Sequence, residues 1–314
     1  MTDLRKLGSS DLQVFPLALG GNVFGWTADE AQSFAVLDGY AAAGGNFVDT
    51  ADTYSSWVEG HEGGESETVL GDWMASRGNR SDVLIATKVG SHPRYQGLAG
   101  DTIRAAAEES LRRLRTDYID LYYTHFDDPG VPVEEIITAL DQLVRDGKVR
   151  AIAASNISPE RLTASVEFSE REGLARYVAL QPHYNLVSRD TYEGELQDVA
   201  ARHGLSAVPY FALASGFLTG KYRPGTTVDS ARAEGAGKYL DDERGPQVLA
   251  ALDRIAGARG AEVATVALAW LAAQPTVVAP LASARTPEQL PALLAATELE
   301  LTADELAELT AASA

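Results

Sequence analysis

The chain has 314 residues, a formal net charge of −19, 45% hydrophobic residues, 23% charged residues and no cysteine. This is a globular composition of a size that suits one α/β barrel, expected here as a single domain over residues 1–314. Lack of cysteine excludes a disulfide framework, thiolate metal sites and a cysteine nucleophile, and it fits a reducing cytoplasm. The acidic surface argues against nucleic acid and anionic lipid as partners, so a phosphate site has to be assembled locally from a few Lys, Arg and backbone N–H groups.

No stretch approaches the ~20 apolar residues of a membrane span. The start, Met1-Thr2-Asp3-Leu4-Arg5-Lys6, has no apolar run behind its charges, so no signal peptide is expected. From there a short apolar run, a turn and a helical stretch recur. Val14–Leu19 reads as a strand, followed by a helix over Ala31–Ala43 that Gly44-Gly45 stops. Strands at Asn46–Asp49 and Val83–Lys88 come next, then a helix over Thr102–Arg115. The strand Ile119–Thr124 leads to a helix over Val133–Asp146, ended by Gly147. After the strand Ala151–Ser155, Ser158-Pro159-Glu160 has the form of an N-cap with proline in the first turn, opening a helix to about Arg171. Tyr177–Gln181, Ser206–Tyr210 and Thr276–Leu281 complete the strands. Helices are expected over Asp190–Arg202, Pro246–Arg259, Glu262–Ala273, Pro287–Ala296 and Ala303–Ala312.

Most of the strands are continuous apolar runs, as strands buried on both faces are. Eight strand–helix alternations predict a (β/α)8 TIM barrel. An open doubly wound sheet is the alternative. Its G-x-G-x-x-G signal would follow the first strand, where Gly20-Gly21-Asn22-Val23-Phe24-Gly25 has different spacing. Two long connections, Ser55–Glu65 and Ala214–Gly245, leave the C-terminal ends of strands, where barrel enzymes build their sites.

Polar residues at the ends of apolar strands should converge on one mouth. The second strand ends in Asp49, the third in Lys88 and the fourth runs into His125. Ser155 and Asn156, Gln181 and Tyr210 close the fifth, sixth and seventh. Any one of these alone reads as a turn residue, a helix cap or a solvated charge. Acid, amine and imidazole on consecutive strand ends instead suggest a site. Tyr54 lies in the loop after Asp49 and can serve as a phenolic proton donor. A phenol titrates near 10, and an ammonium such as Lys88 favours its ionised form. Asp49 can hold Lys88, and a neutral His125 can donate a hydrogen bond to a carbonyl oxygen. No side chain supplies hydride, so such a site needs a cofactor. Tyr210 offers a face for a nicotinamide, and Ser155, Asn156 and Gln181 offer hydrogen bonds to its carboxamide. Arg285, where the eighth strand gives way to a helix, suits a phosphate. His61, His92, His125, His183 and His203 show no pairing suited to a metal, so none is expected.

These residues sit within motifs that resemble the aldo-keto reductase family along nearly the whole chain. They include Leu7-Gly8-Ser9-Ser10-Asp11-Leu12-Gln13-Val14, Phe47-Val48-Asp49-Thr50-Ala51-Asp52-Thr53-Tyr54 and Gly64-Glu65-Ser66-Glu67-Thr68-Val69-Leu70-Gly71. Asp117-Tyr118-Ile119-Asp120-Leu121-Tyr122-Tyr123-Thr124-His125, Gln181-Pro182-His183-Tyr184-Asn185-Leu186 and Gly216-Phe217-Leu218-Thr219-Gly220-Lys221-Tyr222 follow in the same order. The resemblance implies an N-terminal hairpin beneath the barrel and a catalytic tetrad of Asp49, Tyr54, Lys88 and His125. It implies NADPH or NADP+, with NADH possible, bound by Gly21, Asn22, Asp49, Ser155, Asn156, Gln181, Tyr210, Phe211, Leu213, Gly216, Lys221, Ser283, Arg285 and Gln289. Ser283, Arg285 and Gln289 would surround the 2′-phosphate. Leu293 stands where the family usually has an adenine-contacting Asn, and Phe211-Ala212-Leu213 replaces the commoner Ser-Pro-Leu.

Phe24, Trp26, Trp57, Phe126 and Tyr239 are expected as pocket walls beside Tyr54 and His125, which suggests an apolar or aromatic carbonyl substrate. The expected activity is NADP(H)-dependent reduction of aldehydes or ketones. The alternative is a cofactor-sensing regulatory subunit like the potassium-channel β subunits of the same family. No accessory segment precedes the hairpin, so no inactivation peptide is expected. Monomer and homo-oligomer are left open by the sequence.

Overall fold

Pro16 divides the first apolar run. In the computed structural model, which describes residues 2–226, 228–229, 233–241 and 243–314, Gln13–Val14 pairs antiparallel with Arg5–Lys6 as a hairpin. The parallel sheet starts only at β1, Ala18–Gly20. Proline has no N–H to give a ladder, so a strand continuous over Val14–Leu19 is interrupted there. Met1 and residues 227, 230–232 and 242 of the long connection after the seventh strand lie outside the described residues.

The remaining barrel strands are β2 (Phe47–Asp49), β3 (Leu84–Val89), β4 (Ile119–Thr124), β5 (Val149–Ser155), β6 (Tyr177–Gln181), β7 (Ser206–Ala207) and β8 (Leu281–Ala282). Each is parallel to the next from β1 to β7, and β8 is parallel to β1. A bridge between Ala207 and Val277 and the bond from Leu281 N–H to Pro209 C=O, 3.0 Å, join the last two segments. The sheet therefore curls round on itself as a (β/α)8 barrel. The last two strands are shorter than their apolar runs because Pro209 and Pro280 remove donors from them.

Strand alternation separates two cores. Phe47, Ala86, Leu121, Tyr123, Ala151, Ala153 and Ala179 point inward, with Leu7, Leu12 and Val14 of the hairpin sealing the bottom. Val48, Ile85, Tyr122, Ile152 and Leu180 point outward into the layer shared with the helices. Gly8 lets the hairpin turn lie against the barrel: its φ is +53°, and a Cβ there would collide with the Val178 carbonyl oxygen.

Helices α1 (Glu30–Ala42), α2 (Glu65–Arg77), α3 (Gly100–Leu114), α4 (Val133–Arg145), α5 (Pro159–Glu172) and α6 (Glu195–Arg202) follow β1 to β6 in turn. Asp29 opens α1 with a reciprocal bond pair to Gln32, and Ser158 caps α5. α2 is a helix that no apolar period announces in the sequence. Its buried side holds Ser66, Glu67 and Gly71 among Leu70, Trp73 and Met74, so the apolar period is broken. The expected helix Pro287–Ala296 is three short turns, Pro287–Gln289, Leu290–Leu294 and Ala295–Thr297, with Pro291 lacking an N–H among them. α6 begins five residues later than expected from Asp190, behind Gly194. A small hairpin, Ser91–His92 with Tyr95–Gln96, was also not foreseen after β3. Among the described residues, no single helix is long and apolar enough to cross a membrane.

Candidate active site

The inward rows end in polar groups. Phe47 is followed on its face by Asp49, Ala86 by Lys88, Leu121 and Tyr123 by His125, Ala153 by Ser155 and Ala179 by Gln181. The period that fills the barrel with apolar side chains thus presents an acid, an amine, an imidazole, a hydroxyl and an amide at its C-terminal mouth.

Lys88 is fully buried. Its ammonium donates to Asp49 Oδ2 at 2.6 Å, to the Thr50 carbonyl at 2.7 Å and to the Tyr54 hydroxyl at 2.9 Å. Burial works against its charge, but Asp49 and Tyr54 outweigh burial and raise its pKa. Gln181 Nε2 donates to the other Asp49 oxygen at 2.8 Å. Asp49 is therefore held from two sides, and the Gln181 amide that was expected to meet a carboxamide is turned toward it.

Tyr54 reaches the group from its loop. Burial is the main influence on its phenol, Lys88 pulls the other way, and the result is a pKa pushed up to about 12. Lys88 thus acts in the expected direction without bringing the phenol below its ordinary range. His125 is held neutral: burial, helped by the Lys88 charge, lowers its pKa to about 3. Its ring lies 6.1 Å from that of Tyr54, edge to face.

The remaining strand-end groups bond to one another. Asn156 Nδ2 donates to the His125 carbonyl at 2.8 Å and to Ser155 Oγ at 3.1 Å, and Asn156 Oδ1 accepts from the Tyr210 hydroxyl at 2.8 Å. Asn156 takes a left-handed φ of +48° to do so, and Phe211, Ala214 and Ser215 share that unusual conformation at the same mouth. One side of the Tyr210 ring stacks on His183, 5.4 Å away.

These groups open onto a cavity of about 640 Å³, within the range of small-molecule and cofactor sites. Asn22, Asp49, Tyr54, His125, Ser155, Asn156, Gln181, Tyr210, Phe211, Leu213, Gly216, Lys221, Ser283, Arg285 and Gln289 all line it. Lys221 and Arg285 suit phosphates, because neither is engaged by a carboxylate among the described residues. The Gln289 side chain accepts from the Arg285 N–H at 2.8 Å, tying down the turn that carries the arginine. Leu293 lines the cavity among Ala264 and Ala292. This donor set and the apolar slot beside it fit an extended dinucleotide.

Trp26, Trp57 and Phe126 also line the cavity. They form an aromatic rim: Trp26 to Trp57 at 5.4 Å, Trp57 to Tyr54 at 6.2 Å and Phe126 stacked on His125 at 5.0 Å. Three expected residues lie elsewhere. Phe24 is fully buried in the core, where its ring packs beside Gly21. Gly21 itself stands just behind the lining, and its neighbour Gly20 takes that place. Tyr239 packs on Phe217, 5.3 Å away, rather than on the cavity. Conversely, Ser215, Thr219 and Glu262 line the cavity, of which only Thr219 lies within one of the motifs quoted above. Glu262 comes there because the helix Val263–Ala272 packs on Leu290–Leu294, with Thr265 Oγ1 bonded to the Ala292 carbonyl at 2.6 Å.

The chain is similar to known proteins along nearly its whole length. The chain is 32% identical to Protein tas of Escherichia coli K12, over 98% of this chain and 96% of that protein. It is 33% identical to norsolorinic acid reductase stcV of Emericella nidulans, over 95% of this chain and 78% of that one. It is also 32% identical to a probable voltage-gated potassium channel subunit beta of Oryza sativa subsp. japonica, over 91% of this chain and 88% of that one. The model of the aldo/keto reductase family matches residues 16–314. With its barrel, its N-terminal hairpin and this match over nearly its whole length, the chain belongs to the aldo/keto reductase family of oxidoreductases.

Proposed function

We propose that this protein reduces aldehydes and ketones to alcohols with NADPH, using Tyr54 as the proton donor. The observation that carries the reading is the buried chain Asp49–Lys88–Tyr54, whose last hydroxyl opens onto the cavity. When bound, the nicotinamide supplies the hydride.

The chain's own residues supply the rest. Lys88 donates to the phenol oxygen, which stabilises negative charge there as the Tyr54 proton leaves for the substrate oxygen. Asp49 holds the ammonium in that position. His125 stays neutral and offers a hydrogen bond to the carbonyl oxygen without adding charge. Tyr210, Ser155 and Asn156 would hold the nicotinamide end, Leu213, Gly216 and Lys221 the pyrophosphate, and Ser283, Arg285 and Gln289 the 2′-phosphate. Trp26, Trp57 and Phe126 favour a flat apolar or aromatic carbonyl compound, which would cover the exposed rings of Trp57 and Phe126. The relative named for norsolorinic acid is similar over nearly the whole chain, which supports a reductive role.

A screen of aliphatic and aromatic aldehydes, followed at the NADPH absorbance, tests the reading. Consumption of NADPH with 4-nitrobenzaldehyde or a related aromatic aldehyde is the expected result. NADPH binding without turnover of any carbonyl would sink it and favour a regulatory role, the rice relative being named a probable channel subunit.

A further inference from the structure

The segment Gly64-Glu65-Ser66-Glu67 takes no part in the chemistry above, yet it grips the strands that carry it. Strand alternation sends Asp49 and Lys88 inward and their neighbours Thr50 and Thr87 outward, toward the first turn of α2. Ser66 and Glu67, consecutive residues of that turn, are both fully buried. The Thr50 hydroxyl donates to Ser66 Oγ at 2.8 Å, and Ser66 Oγ donates to the Gly21 carbonyl at 2.8 Å. Gly21 N–H in turn donates to the Asp49 carbonyl at 2.7 Å. The Thr87 hydroxyl donates to Glu67 Oε1 at 2.5 Å, and Arg113 of α3 holds Glu67 Oε2 at 2.7 Å. Gly64 lets the turn come this close, with φ +86° and no room for a Cβ against the Arg113 guanidinium.

An ammonium has three protons, and Lys88 gives them to Asp49, Thr50 and Tyr54. Two of these acceptors are side chains: Asp49, which Gln181 also holds, and Tyr54, which reaches in from a loop. The third, the Thr50 carbonyl, is backbone, and the Thr50–Ser66–Gly21 bonds fix where it lies. The other end of Lys88 is fixed through Thr87, the preceding residue, on Glu67.

We propose that Ser66 and Glu67 form a clamp that sets the distance between the Lys88 ammonium and the Tyr54 hydroxyl, Ser66 acting through Thr50 and Glu67 through Thr87. The proposal rests on Lys88 and Tyr54 being the reacting pair. Both clamp residues are positioning residues, since neither touches the cavity. Productive geometry has to hold within about 0.5 Å, and a clamp tying three adjacent strands to one rigid helix turn can deliver that.

Thr50→Val keeps the shape and removes the hydroxyl, whereas Thr50→Ser keeps the hydroxyl. The valine variant should lose about ten- to hundred-fold in kcat, as small misplacements of reacting groups do, with KM for NADPH and aldehyde unchanged. The serine variant should recover most of the loss. Thr87→Val and Thr87→Ser should repeat the pattern through Glu67. A second measurement needs no reaction. In protein labelled with 15N-lysine, the Lys88 ammonium signal, identified by its disappearance in Lys88→Met, should exchange its protons slowly because they are buried and bonded. Thr50→Val should speed that exchange, and Thr50→Ser should not. An unchanged kcat and an unchanged signal in Thr50→Val would overturn the clamp, as would a serine variant as impaired as the valine one. Should the protein reduce no carbonyl, the proposed activity fails, and the ammonium signal still decides whether the clamp holds Lys88.

Discussion

The Lys88 ammonium lies 2.9 Å from the Tyr54 hydroxyl, and Lys88 has no exposed surface. The ammonium is closed to water, which strengthens the interaction and favours charge on the phenol oxygen. Burial nevertheless dominates and pushes the phenol up to about 12. Over ordinary assay conditions Tyr54 therefore keeps its proton, the form an acid needs.

Replacing Tyr54 with Phe removes the acid and leaves the ring. General acid catalysis contributes about 10²–10⁴-fold, so kcat for aldehyde reduction should drop by at least about a hundred-fold. NADPH affinity, measured by fluorescence titration, should stay close to that of the unaltered protein. Full activity in this variant would remove Tyr54 from the reaction.

Acid should destabilise the fold in part through His125. Burial, with help from Lys88, lowers its folded pKa to about 3, whereas an unfolded histidine titrates near 6.5. Between those values the unfolded chain binds the proton and the folded one does not, so stability is lost as pH falls below about 6.5. His125→Gln cannot take up that proton. Its urea midpoint should fall less between pH 7 and pH 5 than the midpoint of the unaltered protein. Equal falls would show that the imidazole is not held neutral.

Arg285 lines the cavity with no carboxylate on it among the described residues. A hydrogen bond to a charged group is worth about 1.5–3 kcal/mol. Arg285→Ala should then weaken NADPH binding about ten- to hundred-fold and NADH binding much less. Calorimetric titration with both cofactors measures this directly, and an equal loss for the two would take Arg285 away from the 2′-phosphate.

The buried pair of Glu67 and Arg113 should be costly to break. Arg113 exposes 6% of its side chain and Glu67 none, so Arg113→Met leaves a buried carboxylate without its cation. Removing one partner of such a pair costs about 3–5 kcal/mol. Guanidinium unfolding should show a loss of that size, while Arg112→Met, whose side chain is 67% exposed, should cost little. Similar losses for both would mean that the pair contributes no more than a surface contact.

The sequence by itself determined the architecture and the chemistry of the strand ends. Period two along an apolar strand dictates that Asp49, Lys88, Ser155 and Gln181 share the inward face with Phe47, Ala86, Ala153 and Ala179, and eight such runs separated by helices, without a G-x-G-x-x-G turn after the first, favour a barrel over an open sheet. Local breakers were legible too, although their effect was underestimated at Pro16, Pro209, Pro280 and Pro291, where a missing N–H shortens a strand or divides a helix. Tertiary structure alone decided what depends on contacts between distant segments. Phe24 turns into the core and Glu262 out to the cavity in the company of neighbours about 30 residues away in sequence, Ser55 and Ala292 among them. α2 has no apolar period legible in the sequence because its buried face carries Ser66 and Glu67, whose partners Thr50, Thr87 and Arg113 come from the residue after β2, from β3 and from another helix. A buried polar residue looks like a surface residue in sequence; only the folded chain brings the hydroxyls and the guanidinium that make its burial affordable.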